Sequence, residues 1–220
     1  MMRKLLVLTL LGAVFGTAHA GFSFSEEERQ QKDAEDAARK RHGALLATPC
    51  KQAVKDKRIM IVMGERTGRG MNSDQGHYSS HFNAIDKRLK RLGLNSITQE
   101  EMRARIAQAE IDAYLNNDTE AALNASKKMG SDFILRGVIS SRTAYNPMVR
   151  LPEVYVSMSF TLTGADGRTI SEASGRAESY SGGDVGGMAL TLINEQAEGV
   201  VARLYSDYCR KAGVDGKSKK

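Results

Sequence analysis

Met129-Gly130-Ser131-Asp132-Phe133-Ile134-Leu135-Arg136-Gly137-Val138-Ile139-Ser140-Ser141 reads as the end of one helix and the strand that follows it. Gly130 suits the residue after a helix terminus, where a left-handed backbone is needed, and Ser131 and Asp132 turn the chain. Phe133 to Ile139 are nearly all apolar β-formers, as an interior strand with both faces covered requires. The rest of the chain can be placed around this junction.

Downstream, residues 142–152 hold Asn146-Pro147 and a second proline and predict a long hairpin loop. Residues 153–163 alternate: Val154, Val156, Met158, Phe160 and Leu162 point one way, and Tyr155, Ser157, Ser159, Thr161 and Thr163 the other. That pattern predicts a strand with one buried and one polar face. Ala165-Asp166-Gly167 is a turn, and residues 168–180 return antiparallel. On the return strand Ala173, Gly175 and Ala177 form a face small enough for a helix to approach closely. After a loop at 181–184, residues 185–210 predict a long helix with an apolar stripe of Ile193, Ala197, Val200, Val201, Leu204 and Tyr208.

Upstream, Asp118 is a plausible N-cap for a helix with Ala122, Leu123, Ala125 and Met129 on its apolar side. Thr98-Gln99-Glu100-Glu101 has the pattern of a capping box, opening a helix that turns Met102, Ile106 and Ala109 inward. Arg58-Ile59-Met60-Ile61-Val62-Met63 is apolar on both faces and predicts a central strand. A flexible loop, Gly64-Glu65-Arg66-Thr67-Gly68-Arg69-Gly70, leads towards a helix over 78–92 carrying Phe82, Ile85, Leu89 and Leu92. Residues 94–97 then return as a short parallel strand, completing a βαβ unit.

The fold class predicted is mixed α/β, in the order β-α-β-α-α-β-β-β-α. It comprises a mixed sheet packed by helices, a C-terminal antiparallel meander and a long final helix. The domain plan has a leader at 1–20, a charged helical or flexible lead-in at 21–56, a single domain at 57–210 and a disordered basic tail at 211–220. The leader reading rests on Arg3 and Lys4, the apolar run 5–15, and the small-x-small pattern Ala18-His19-Ala20 before Gly21. That run is shorter than the ~20 apolar residues that span a bilayer, which argues against an anchor. With Gly21 rather than Cys at the cleavage point, export to the periplasm without lipidation is expected, and no transmembrane segment remains once the leader is removed.

The net charge of +6 includes Arg3 and Lys4 and a terminal Lys217-Ser218-Lys219-Lys220 run, so it is too diffuse to point to nucleic acid. Cys50 and Cys209 are the two cysteines. In an oxidising compartment they are a disulfide candidate, two free thiols being the alternative. No CxxC motif suggests a metal there.

Candidate chemistry is sparse. The 64–70 loop lacks the Gly-Lys-Ser/Thr ending of a P-loop and the GxGxxG spacing of a dinucleotide site, so a solvated loop is the plainer reading. Glu65, Arg66, Thr67 and Arg69 are nonetheless the candidates for a small anionic ligand or an envelope glycan. His77 and His81 stand four apart, a spacing compatible with a metal, but lack the intervening Glu of HExxH and an identifiable third ligand. No GxSxG elbow or paired carboxylates appear, so no catalytic residue, metal or cofactor is assigned.

From about residue 57 to 208 the chain resembles the periplasmic α/β domains shared by CsgG, LpoB, FlgT and the N-terminal domain of TolB. The resemblance is carried by residues 129–139, similar to that group's Gly-Ala-Asp-Tyr-hydrophobic-hydrophobic-x-Gly pattern, and by the alternating strand ending in an Asp-Gly turn. It implies a non-catalytic accessory or assembly role, in which another envelope protein or complex is bound. Gly21 departs from the lipoprotein Cys of the synthase activators and curli secretion proteins, and the Pro-rich linker expected of such an activator is absent. The expected contacts, on loops of a rigid sheet, are Arg66, Arg69, Tyr145 and Arg150. The competing readings are the anionic-ligand or glycan module and, third, a metal-dependent enzyme using His77 and His81.

Overall fold

A computed structural model describes residues 24–67, 69–180 and 185–212. The expected leader at 1–20, residues 21–23, Gly68, the expected loop at 181–184 and residues 213–220 of the expected tail lie outside the described residues. Two compact units are distinguished, Met1–Ala37 and Ala38–Lys220. In the first, the described residues are the opening turns of helix α1 (Phe24–Leu46), where Arg29 pairs with Glu26 and Gln31 with Glu35 on an exposed surface.

In the second unit the fold is set by a strand that is apolar on both sides. Strand β1 (Arg58–Thr67) directs Ile59, Ile61 and Met63 into one core and Met60 and Val62 into another, all 1% exposed or less. The first core lies under helices α3 (Ser79–Arg91) and α7 (Val185–Lys211). The second lies under α4 (Gln99–Arg105), α5 (Gln108–Leu115) and α6 (Thr119–Met129). Short helix α2 (Lys51–Val54) precedes β1.

The sheet runs β2-β1-β4-β5-β6, with β3 (Asn95–Ser96) beside β1 as well. Strand β4 (Phe133–Asn146) is parallel to β1, from Ile59 opposite Phe133 to Glu65 opposite Ile139. Strands β5 (Leu151–Gly164) and β6 (Thr169–Tyr180) complete an antiparallel meander, with a bulge at Leu162/Thr163. The quoted stretch behaves as its residues require: Gly130 ends α6 at φ 58°, and β4 lies between β1 and β5. The Asp118 cap accepts from the Glu120 and Ala121 N–H groups, and Thr98 accepts from Glu101 N–H at 3.0 Å. The small face of β6 receives α7 closely; a Cβ added at Gly175 would lie 3.0 Å from Gln196 Cβ.

Three local expectations are corrected. The 142–152 stretch is a ladder rather than a loop: pairing continues from Ser141 opposite Val156 to Asn146 opposite Leu151, leaving a turn of four residues. Thr143, Tyr145 and Leu151 are β-formers that carry the ladder up to that turn. The 64–70 segment is likewise a tight hairpin, with β1 running to Thr67 and β2 (Gly70–Asn72) folding back so that Glu65 faces Asn72 and Thr67 faces Gly70. The helix opened by Thr98 breaks at Ile106, whose backbone is extended (φ −115°, ψ 126°), and restarts with Glu110 accepting the Ala107 N–H at 3.2 Å. Ile106 enters the core from this break, and Ala109 is exposed rather than inward.

The edge of β1 away from β4 is paired by β3 at its start and β2 at its end. Between them the Gln75 side chain stands in for a strand. Its amide accepts from Met63 N–H at 3.0 Å and donates to Met63 O at 2.6 Å, at 1% exposure. A buried main-chain donor and acceptor are thereby satisfied without a neighbouring backbone.

Cys50 and Cys209 are joined, with Cα atoms 5.5 Å apart across 159 positions. The bond ties the N-cap of α2 to the last turns of α7.

Candidate functional site

Beyond Glu153, the last β5 residue paired with β6, β4 and β5 run on as a short two-stranded ribbon with Tyr145 opposite Pro152 and Asn146 opposite Leu151. Its turn is built by Asn146, whose side-chain oxygen accepts from Met148 N–H at 3.0 Å and whose carbonyl accepts from Arg150 N–H at 2.9 Å. Arg150 closes the turn at φ 57°, a left-handed conformation that Gly or Asn adopts more readily. Asn146 Nδ2 also donates to the Tyr180 hydroxyl at 3.4 Å, bringing the end of β6 against the ribbon.

The ribbon tip gathers the exposed large apolar side chains among the described residues. Tyr145 is 65% exposed, Met148 91%, Val149 48%, Leu151 41% and Tyr180 46%. Exposed large apolar residues usually occur scattered singly, so their concentration at one end makes this tip the candidate contact surface. Nearer the core, the Arg142 guanidinium lies 3.9 Å over the Tyr155 ring. A hydrogen bond to Glu153 pushes the Tyr155 hydroxyl above its ordinary pKa, with a little added by burial.

The structure brings Arg66 and Arg69 to the same end of the sheet as Tyr145 and Arg150, without joining the two pairs into one cluster. The parallel register ends with Glu65 level with Ile139, and Tyr145 lies six residues farther along β4, about 20 Å. Glu65 is half-buried and accepts from Ser141 Oγ at 2.9 Å, bracing β1 to β4. Arg66 is exposed opposite Met71, Arg69 is exposed in the hairpin turn, and Thr67 contributes its backbone to the pairing with Gly70. Sequence reasoning passed over Met148, Val149, Leu151 and Tyr180. The signal was present in the unbroken run Tyr145 to Leu151, which is apolar or basic apart from Asn146 and contains a turn former.

His77 and His81 do not share a helix face, because α3 begins at Ser79 and His77 lies in the preceding turn. Both rings pack edge-on against Tyr78, at 5.2 and 5.7 Å between centroids. Burial pushes the His81 imidazole below its ordinary pKa, and its Nδ1 is buried without a hydrogen-bond partner. Tyr78 donates to Asn72 O at 3.1 Å, and burial drives its hydroxyl up to about 12. Among the described residues no group of three or more His, Cys, Asp or Glu side chains is placed to hold a metal ion.

No protein-family model and no curated protein matches the chain. Among solved structures it is similar to lipoprotein GNA1162 of Neisseria meningitidis (15% identity, 62% of this chain and 92% of that one, TM-score 0.40). It is also similar to the LpoB C-terminal domain of Salmonella enterica (12% identity, 61% and 96%, TM-score 0.38). A third is the PelC dodecamer of Paraburkholderia phytofirmans (18% identity, 66% and 87%, TM-score 0.39). LpoB is one of the proteins named above on sequence grounds; CsgG, FlgT and TolB have no counterpart in these three. At such scores and identities the likenesses decide neither family nor partner.

Proposed function

We propose that this chain is a non-catalytic accessory protein of the cell envelope that docks another envelope protein through the tip of the β4–β5 ribbon. The observation that carries this reading is the concentration of exposed apolar side chains at that tip, from Tyr145 to Leu151 with Tyr180 beside them. Arg150 borders it, giving an apolar centre with a basic margin, the usual anatomy of a protein contact. Arg150 is held in a left-handed backbone conformation at the turn, and strain of this kind concentrates where a side chain is being presented. Arg66 and Arg69, on the neighbouring hairpin, form the periphery of the surface.

Location in the periplasm, without lipidation, rests on the leader reading of residues 1–20 and on the Cys50–Cys209 bond, which an oxidising compartment maintains. The domain plan proposed is removal of that leader and a folded body from about residue 57 to 210.

A photocrosslinking residue at Met148 in intact cells, followed by purification and mass spectrometry, tests the proposal. One dominant envelope protein attached at Met148, and not at Lys87 on the exposed side of α3, is the expected result. Absence of any adduct, or equal labelling at both positions, overturns it.

A further inference from the structure

We propose that the part of the β4, β5 and β6 face left uncovered by α4 to α6 is a binding trough for an uncharged oligosaccharide chain. This site meets the ribbon tip at the Ala144-Glu153-Tyr180 rung but is defined by the rungs before it, and the proposal does not depend on the docking reading. Antiparallel sheets often leave one face to solvent, so exposure by itself decides nothing here. The pattern across the three strands does.

The pairing register aligns side chains on this face into rungs. Arg136, Thr161 and Glu172 stand opposite one another on β4, β5 and β6, and so do Arg142, Tyr155 and Glu178. Both rungs place an arginine on β4, a hydroxyl on β5 and a glutamate on β6. They are six residues apart, about 20 Å along the strands. Between them lie two rungs rich in serine: Val138-Ser159-Ser174 and Ser140-Ser157-Arg176. Open depressions of about 220 and 320 Å³ share Arg136, Thr161 and Glu172, and a third of about 610 Å³ is lined by both the Arg142-Tyr155-Glu178 and the Ser140-Ser157-Arg176 rungs. The first is walled by Tyr114 and Asn117 at the end of α5, where Arg136 bonds to Asn117 Oδ1 and lies 6.0 Å from the Tyr114 ring centroid.

Charge and donor chemistry select the occupant. In each rung arginine and glutamate are separated by a whole strand, about 10 Å, and among the described residues none of Arg136, Arg142, Arg176, Glu172 and Glu178 forms an ion pair. With Glu153 on the next rung, three cations face three anions, so a polyanion meets the glutamates and a polycation the arginines. Sugar hydroxyls donate and accept at one atom, matching arginines that only donate, glutamates that only accept and serines that do both. The serine rungs offer no apolar centre of the kind a protein interface needs.

The test is a titration of the isotopically labelled protein with maltohexaose and with chitotetraose, followed by amide chemical shifts, with polygalacturonate as the anionic comparison. Saturable binding in the millimolar range or tighter is expected, with shifts confined to the rungs. Arg142→Ala and Glu172→Gln, both at exposed positions, each weaken it at least about fivefold while the spectrum stays that of the folded protein. Met148→Ser leaves it unchanged, which keeps this site distinguishable from the docking tip. The proposal is overturned if neither neutral oligosaccharide saturates below about 10 mM, if polygalacturonate binds more tightly, if shifts gather at residues 145–151, or if both trough variants bind as the parent does.

Discussion

Single residues carry much of this fold, and Gln75 is the clearest case. Gln75→Leu keeps the volume but leaves Met63 N–H and C=O unpaired in the core, for an expected loss of about 2–4 kcal/mol in urea unfolding. Gly137 is another. A Cβ there would lie 2.5 Å from Phe160 Cε1 and 2.6 Å from Met63 Sδ, so Gly137→Ala should cost about 1–3 kcal/mol. Gly43, in exposed helix with nothing within 4 Å, behaves oppositely, and Gly43→Ala should stabilise by roughly 0.5–1 kcal/mol. Burial lowers the pKa of both His42 and His81, so the folded state binds fewer protons than the unfolded one. Their contribution to stability is present above the ordinary histidine range and is lost as pH falls from about 6.5 through the lowered folded values. The urea midpoint should therefore drop between about pH 7.5 and pH 5, and the drop should shrink in the His42→Gln, His81→Gln double variant.

At the scale of elements, the helices and interior strands were legible because burial leaves a period in the sequence. Val154, Val156, Met158, Phe160 and Leu162 alternate and are all buried, and Asp118 and Thr98 announce helix starts that the structure contains. The candidate contact surface was legible only in part. Its ribbon lies beyond the cores, where no burial imposes a period, and Asn146-Pro147 signals a turn without saying how far pairing continues on either side. The break at Ile106 escaped notice for a related reason, since the apolar spacing of Met102 and Ile106 is the same whether the helix continues or stops. The ribbon makes a prediction of its own. Met148→Ser should change stability by less than about 0.5 kcal/mol, because that side chain packs on nothing, yet should reduce recovery of the partner from cells with intact protein levels.

At the scale of the whole molecule, what remains illegible is what no intramolecular force records. The sheet divides two cores, and the residues facing either of them were readable from the chain. The rungs of β4 to β6 were not, because strand register is a property of pairing and Arg136, Thr161 and Glu172 are far apart in sequence. The disulfide closes a loop long enough that the chain-entropy model assigns it about 5 kcal/mol, so Cys209→Ser or reduction should lower the thermal midpoint markedly. The bond has a mechanical meaning as well. Tension entering the chain before residue 50 and leaving after residue 209 runs through a single covalent link and bypasses the strands between them. If the protein is strung between two parts of the envelope, the load falls on sulfur, and the sheet with its exposed ribbon keeps its shape under a pull that would otherwise unzip it.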